Sequence, residues 1–246
     1  MTVLNFAQHR RFQENCSLES LNKLHQDYTF AISSSGMFTH PEDILSQQSH
    51  VWHGLALGWR KKLSSNIQLL DSHSDRIVGA RLKCQSKSLL FSSCYAPTSG
   101  QDDDFMEFIS SLTTFLAANK HPDDHIVFGA DTNCSAKSSK RRQEVFQSFC
   151  ESNSLDAYRP SQPTFHHHNG TSNSSIDAII SSNNTRVAEL EHFCTVDDPF
   201  NLSCHDPISV HIEIPVHIVQ HPTQGFYNQT YSSLQSRLRH GGVQTC

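Results

Sequence analysis

The sequence predicts an α/β domain over roughly residues 10–215, on three observations. Short apolar or alternating segments of strand length recur along the chain. Longer segments between them carry apolar residues at helical spacing. The two kinds interleave rather than segregate, which is the pattern of an α/β domain. With 246 residues, 36% of them hydrophobic, there is ample surface to bury as a core.

Taken in order, LESLNKLHQDY (18–28) suggests a first helix, and GLALGW (54–59) a short apolar strand. RIVGARLKC (76–84) places Val78, Ala80, Leu82 and Cys84 on one face by period two. KSLLFSSCYAP (87–97) is an apolar strand ended by Pro97. DDDFMEFISSLTTFLAANK (102–120) is a helix whose Phe105, Phe108, Ile109, Leu112, Phe115 and Leu116 form one stripe. Its three leading aspartates sit where the helix dipole favours negative charge, which is sufficient cause for them without a metal. HIVFGA (125–130) is a fully buried strand, and RRQEVFQSFCESNSL (141–155) a helix with Val145, Phe146, Phe149 and Cys150 inward. SIDAII (175–180) and the alternating SVHIEIPVHI (209–218) are the last strands. The stretch 216–246 has little apolar periodicity and reads as a flexible tail.

Bulk properties exclude several classes. No run of ~18 apolar residues exists, so no membrane-spanning helix is expected, and MTVLNFAQHRRFQEN lacks the apolar core of a signal peptide. The expected location is intracellular rather than secreted, with nuclear action following from a DNA substrate. The eight cysteines form no C-x-x-C pair, so zinc-finger and thioredoxin chemistry are disfavoured. The net charge of −5 argues against a pure nucleic-acid-binding module. KSSKRR (137–142) is either a solvated face or a functional basic patch.

The chemistry-bearing residues come at strand ends. HIVFGADTN delivers Asp131 and Asn133 two positions apart, so an extended backbone would present both on one face. A carboxylate and an amide there can activate a water and bind an oxyanion, though Asp-x-Asn also serves turns. Asp177 lies in an apolar strand, where an ionised carboxylate needs a partner. NLSCHDPISV brings His205 to the start of the last strand, and a neighbouring carboxylate would fix its tautomer. Cys204 beside His205 could be a nucleophile, a metal ligand or neither. Glu14 in FQENC and Tyr95 in SSCYAPT complete the set. HHH (166–168) reads as surface or wall residues, since three adjacent histidines on a strand cannot all face one ion.

The order Gln13-Glu14, Tyr95-Ala96-Pro97, Gly129-Ala130-Asp131-Thr132-Asn133, Ser174-Ser175-Ile176-Asp177 and Ser203-Cys204-His205-Asp206-Pro207 resembles the endonuclease/exonuclease/phosphatase superfamily. Within it, the wording is similar to the apurinic-endonuclease-like endonuclease domains of non-LTR retrotransposons. The resemblance implies two packed mixed β-sheets flanked by helices, a four-layer α/β sandwich of the DNase-I type. It also implies Glu14 as ligand of Mg²⁺ (or Mn²⁺) and Asp131 as the group that orients or deprotonates the attacking water. Asn133 and Tyr95 would hold phosphate oxygens, and His205 paired with Asp177 would stabilise the pentacovalent phosphate. The implied activity is metal-dependent hydrolysis of DNA by a monomer, leaving a 3′-hydroxyl. The alternatives are a phosphatase of the same superfamily and an inactive remnant.

Two departures stand out. Cys204 occupies the family's aspartate position beside the histidine, so reduced activity is expected and Cys204→Asp should raise it. Asn5 precedes Glu14 by only nine positions, too few for the family's first strand and helix. The domain (1–215) is therefore expected to lack them.

Overall fold

In the computed structural model, residues 27–34, 54–84, 87–98, 100, 102–167, 170, 172–192 and 204–213 are described. Glu14, most of the predicted first helix and the 216–246 stretch lie outside them. The elements are β1 (Tyr28–Ser34), β2 (Gly54–Arg60), β3 (Ile67–Leu70), β4 (Ile77–Lys83), β5 (Ser88–Tyr95), α1 (Asp102–Asn119) and β6 (His125–Asp131). They continue as α2 (Lys140–Asn153), β7 (Leu155–Tyr158), β8 (Phe165–His166), β9 (Asn173–Ser174), β10 (Asp177–Ser182), β11 (Arg186–His192) and β12 (Ile208–Glu213).

The centre is a six-stranded sheet in the order β3-β4-β5-β6-β10-β7. Only β5 and β6 run parallel, with α1 as the crossover a parallel pair requires. β1 pairs with β2 and β11 with β12, each antiparallel.

Apolar residues on both faces of the central strands make it the middle of a sandwich. On one face Ile77, Leu90, Ile126, Phe128, Ala178 and Ile180 pack under the α1 stripe and under Phe149 and Cys150 of α2. On the other, Val78, Ala80, Leu82, Phe91, Val127 and Ile179 pack on Leu55, Leu57 and Trp59 of β2 and on Ile208, Val210 and Ile212 of β12. Each large side chain so buried contributes about 1.5–3 kcal/mol. α1 lies so close to the sheet that a Cβ on Gly79 would stand 2.3 Å from Phe115 Cζ, so only glycine fits there. Among the described residues both α-helices cover the same face, giving three of the four expected layers.

Boundaries differ from expectation in several places, among them β10, which spans Asp177–Ser182 rather than 175–180. Tyr28 begins β1 rather than ending a helix, because its β-branched and aromatic run pairs residue for residue with β2. The helix expected to run to residue 155 ends at Asn153, because Ser154 turns left-handed (φ 56°) as its C-cap and Leu155 joins the sheet.

Candidate active site

The ladder register brings the candidate residues together. Tyr95 on β5 pairs with Asp131 on β6, and Asp131 pairs in turn with Asp177 on β10. Three adjacent strands thus present one phenol and two carboxylates on a single rung. By the alternation of side chains they share the parity of Phe91, Val127 and Ile179, so they face the space between the two β layers.

His205 reaches this rung from outside the sheet. It forms an isolated antiparallel bridge with Phe165, and the two rings lie 5.0 Å apart. Its Nδ1 lies 3.0 Å from Asp177 Oδ2 and 3.2 Å from Oδ1, and its Nε2 lies 3.8 Å from Asp131 Oδ2. Asp177 Oδ2 also accepts from the Thr164 hydroxyl at 2.5 Å. Asp131, Asp177 and His205 are all more than nine-tenths buried.

Asn133 arrives by a turn, not by the extended alternation expected. β6 ends at Asp131, and Asn133 has φ 43° because its own N–H donates to Asp131 Oδ1 at 3.0 Å, an Asx turn. Its Nδ2 donates to the Ala96 carbonyl at 2.7 Å, and its side chain hydrogen-bonds to Tyr95. The turn is braced by Thr132, whose N–H donates to the Ile176 carbonyl at 2.8 Å, and by Arg159 Nη2 on the Thr132 hydroxyl at 3.1 Å.

Burial and mutual charge set the protonation states. Burial, then the charge of Asp177, push the Asp131 carboxyl up to about 7, against the opposing charge of His205. Burial acts to lower the His205 imidazole. Hydrogen bonds to Asp177 and to the Cys204 side chain, with the charges of Asp177 and Asp131, outweigh it and raise His205 to about 11. Burial, then Asp131, raise the Tyr95 phenol to about 12. Near neutrality the pocket therefore holds a protonated phenol, an imidazolium, and a carboxylate poised to take or release a proton.

Asp131, Asp177 and His205 each offer a ligand atom within 4.8 Å of one another. Asp177 is already engaged by Thr164 and His205, which leaves Asp131 the freer oxygen donor. The two buried carboxylates face one imidazolium, and a divalent cation would offset the excess negative charge that raises Asp131. The donor set fits such an ion, with oxygen as the principal ligand chemistry.

Several residues at or beside the site escaped sequence reading. Thr164 and Arg159 have no composition signal. In KSSKRR, Arg142 is fully buried and donates to the carbonyls of Pro97, Asn133 and Thr98. Arg141 faces Asp103, and Lys140 faces Glu144. Lys140 and Arg141 thus stay at the surface, and of these three basic residues it is Arg142 that is internal. Asp102 of the DDD run accepts from Ser139 and Arg142, so it ties the two helix starts together as well as opening α1. Asp206 turns away from the rung, with its carboxylate on His166 Nε2 at 2.9 Å.

A six-stranded sheet with further strand pairs packed on one face thus carries a tyrosine and two aspartates on one rung, with a histidine brought beside them. Residues 89–209 match the family model described as endonuclease–reverse transcriptase. Among solved structures, an endonuclease/exonuclease/phosphatase family protein from Leptotrichia buccalis is 16% identical, with TM-score 0.57 over 87% of this chain and 85% of that one. The endonuclease domain of TRAS1, a telomere-specific non-LTR retrotransposon, is 10% identical, with TM-score 0.53 over 80% and 91%. A mannosyl-6-phosphatase from Bacteroides thetaiotaomicron is 13% identical, with TM-score 0.53 over 80% and 81%. At these identities the likeness is one of fold. No curated protein sequence matches the chain. In matched residues and in fold, what the chain resembles is the endonuclease/exonuclease/phosphatase superfamily, whose members hydrolyse phosphoester bonds. Among the described residues no helix is long and apolar enough to cross a membrane.

Proposed function

We propose that the chain is a divalent-metal-dependent phosphodiesterase acting on DNA, an endonuclease of retrotransposon origin. The observation that supports this reading best is the single rung Tyr95–Asp131–Asp177 with His205 held on Asp177. Asp131, with a carboxyl near 7, takes the proton of an attacking water, since a base is most effective when its pKa lies near the working pH. The hydroxide adds to phosphorus in line with the 3′-oxygen. The phosphorus–O3′ bond then breaks, and the departing 3′-oxygen takes a proton from solvent, which leaves a 3′-hydroxyl and a 5′-phosphate. The His205 imidazolium, kept charged by Asp177, faces the equatorial oxygens as negative charge accumulates on them. Tyr95 remains protonated and donates to the phosphate, and Asn133 holds a second oxygen.

A Mg²⁺ ion, held by Asp131 with Glu14 as the ligand that the sequence motif suggests, would supply charge neutralisation at the phosphate. DNA is preferred over a phosphomonoester on the retrotransposon-type motifs, because the fold by itself serves both nucleases and the mannosyl-6-phosphatase.

The test is nicking of supercoiled plasmid by the purified chain with Mg²⁺, beside EDTA and Asp131→Ala controls, with a sugar phosphate as parallel substrate. Metal-dependent nicking lost in Asp131→Ala supports the proposal. Hydrolysis of the sugar phosphate alone selects the phosphatase reading. No hydrolysis by folded protein makes the chain an inactive member, as Cys204 at the family's aspartate position would favour.

A further inference from the structure

His205 belongs to no strand of the central sheet, so something other than the main ladder must fix where its imidazole stands. Its segment is held against residues 164–166 by two backbone bonds. The Asp206 N–H donates to the Thr164 carbonyl at 2.7 Å, and the His166 N–H donates to the Cys204 carbonyl at 2.8 Å. These bracket Phe165 and His205 as a non-hydrogen-bonded pair, the arrangement that brings facing side chains closest. Backbone bonds of this kind do not choose a register. A slip by one residue would preserve similar bonds but turn His205 to the opposite face.

Side chains distinguish the two. Alternation puts His166 and Asp206 on the face opposite Phe165 and His205. There His166 Nε2 meets Asp206 Oδ2 at 2.9 Å, with the Asp206 side chain 1% exposed. Losing the His166 contact would cost a buried carboxylate part of its stabilisation, so the observed register is favoured as the one that keeps this pair. Thr164 links both faces, because its carbonyl binds the Asp206 N–H while its hydroxyl binds Asp177.

We propose that His166 and Asp206 are positioning residues, a polar clasp that selects the register in which His205 meets Asp177. The clasp assigns a task to two features that the reaction itself leaves idle, the first histidine of the HHH run and the aspartate that follows the catalytic histidine. The inference rests on the proposed role of His205, but its test separates the two.

The test compares wild type, His166→Gln and the double variant His166→Leu/Asp206→Leu in the full chain. In the double variant no charge is stranded, so it folds without the clasp. The first readout is the far-downfield imidazole N–H proton of His205 in the NMR spectrum, assigned by its loss in His205→Gln. The second is kcat and KM for phosphodiester hydrolysis. The double variant is expected to lose the proton signal and about 10–100-fold in kcat, as small misplacements do, with KM changed less than about twofold. His166→Gln, whose amide can still donate to Asp206, is expected to retain both. A folded double variant with a wild-type signal and kcat overturns the clasp, as does a His166→Gln variant no better than the double one. If wild type hydrolyses nothing, the functional reading falls, while the proton signal still decides the clasp.

Discussion

Asp177→Asn removes one charge and almost no volume, so it isolates what the carboxylate does for His205. The new amide oxygen can keep the Oδ2 place, accepting from the Thr164 hydroxyl and lying 3.0 Å from His205 Nδ1, but the amide nitrogen then takes the Oδ1 place at 3.2 Å and sets a second donor beside that ring N–H. The rise of His205 from 6.5 to about 11 corresponds to about 6 kcal/mol at ~1.4 kcal/mol per pH unit. Asp177 supplies both a hydrogen bond and its charge, whereas Cys204 and Asp131 supply one contribution each. Losing about half of that support lowers the imidazole by at least ~2 pH units, to about 9, so the imidazolium persists near neutrality while the alkaline limb of the rate moves down. Because the charge of Asp177 also raises Asp131, the acidic limb of the rate profile should move down together with the alkaline one. The assay is kcat against pH alongside NMR titration of the His205 ring. A folded Asp177→Asn protein whose imidazole titrates as in wild type, or whose alkaline limb stays in place, would refute the reasoning.

Three other outcomes are expected. In wild type the rate should rise with pH through about 7 as the Asp131 carboxyl ionises, and raising Mg²⁺ should shift that limb to lower pH as the cation competes with the proton; a pH-independent rate between 5 and 9 would count against Asp131 as base. Cys204→Asp places a third carboxylate beside the His205 ring, where the thiol now hydrogen-bonds, and should raise kcat by up to about tenfold, ~1.4 kcal/mol of barrier; an equal or lower rate would mean that the thiol is no handicap. At the far end of the sheet Arg81 Nη1 lies 2.6 Å from Asp124 Oδ2, both buried, so Arg81→Met should destabilise the fold by about 3–5 kcal/mol in chemical denaturation. Pairing that change with Asp124→Leu should recover most of the loss, and failure to recover would show that the ion pair is not the cause.

Several features were legible in the sequence because they depend on neighbours along the chain. The α1 stripe follows from helical spacing, and each of its six apolar residues is buried. β6 and β10 follow from the short apolar runs at their centres, and every residue in both is buried. That same double burial hides the pairing partner, because a strand covered on both faces shows no alternation from which to read register. β1 was missed for a related reason, since its single apolar face has too few residues to compete with a helical reading of the segment before it.

The sequence by itself determined the α/β class, the two central helices and the strand ends that carry Tyr95, Asp131 and Asp177, with His205 just ahead of the last strand, because each is a local pattern or an ordered motif. Only the tertiary structure decided that Tyr95, Asp131 and Asp177 share one rung, since that rests on hydrogen bonds between segments tens of residues apart. It also decided that Asn133 enters by an Asx turn, that Arg142 is an internal brace rather than a basic surface, and that Asp206 serves His166 rather than the reacting centre. Charge and polarity look alike in a sequence whether a side chain faces water or a buried partner, and only packing tells them apart.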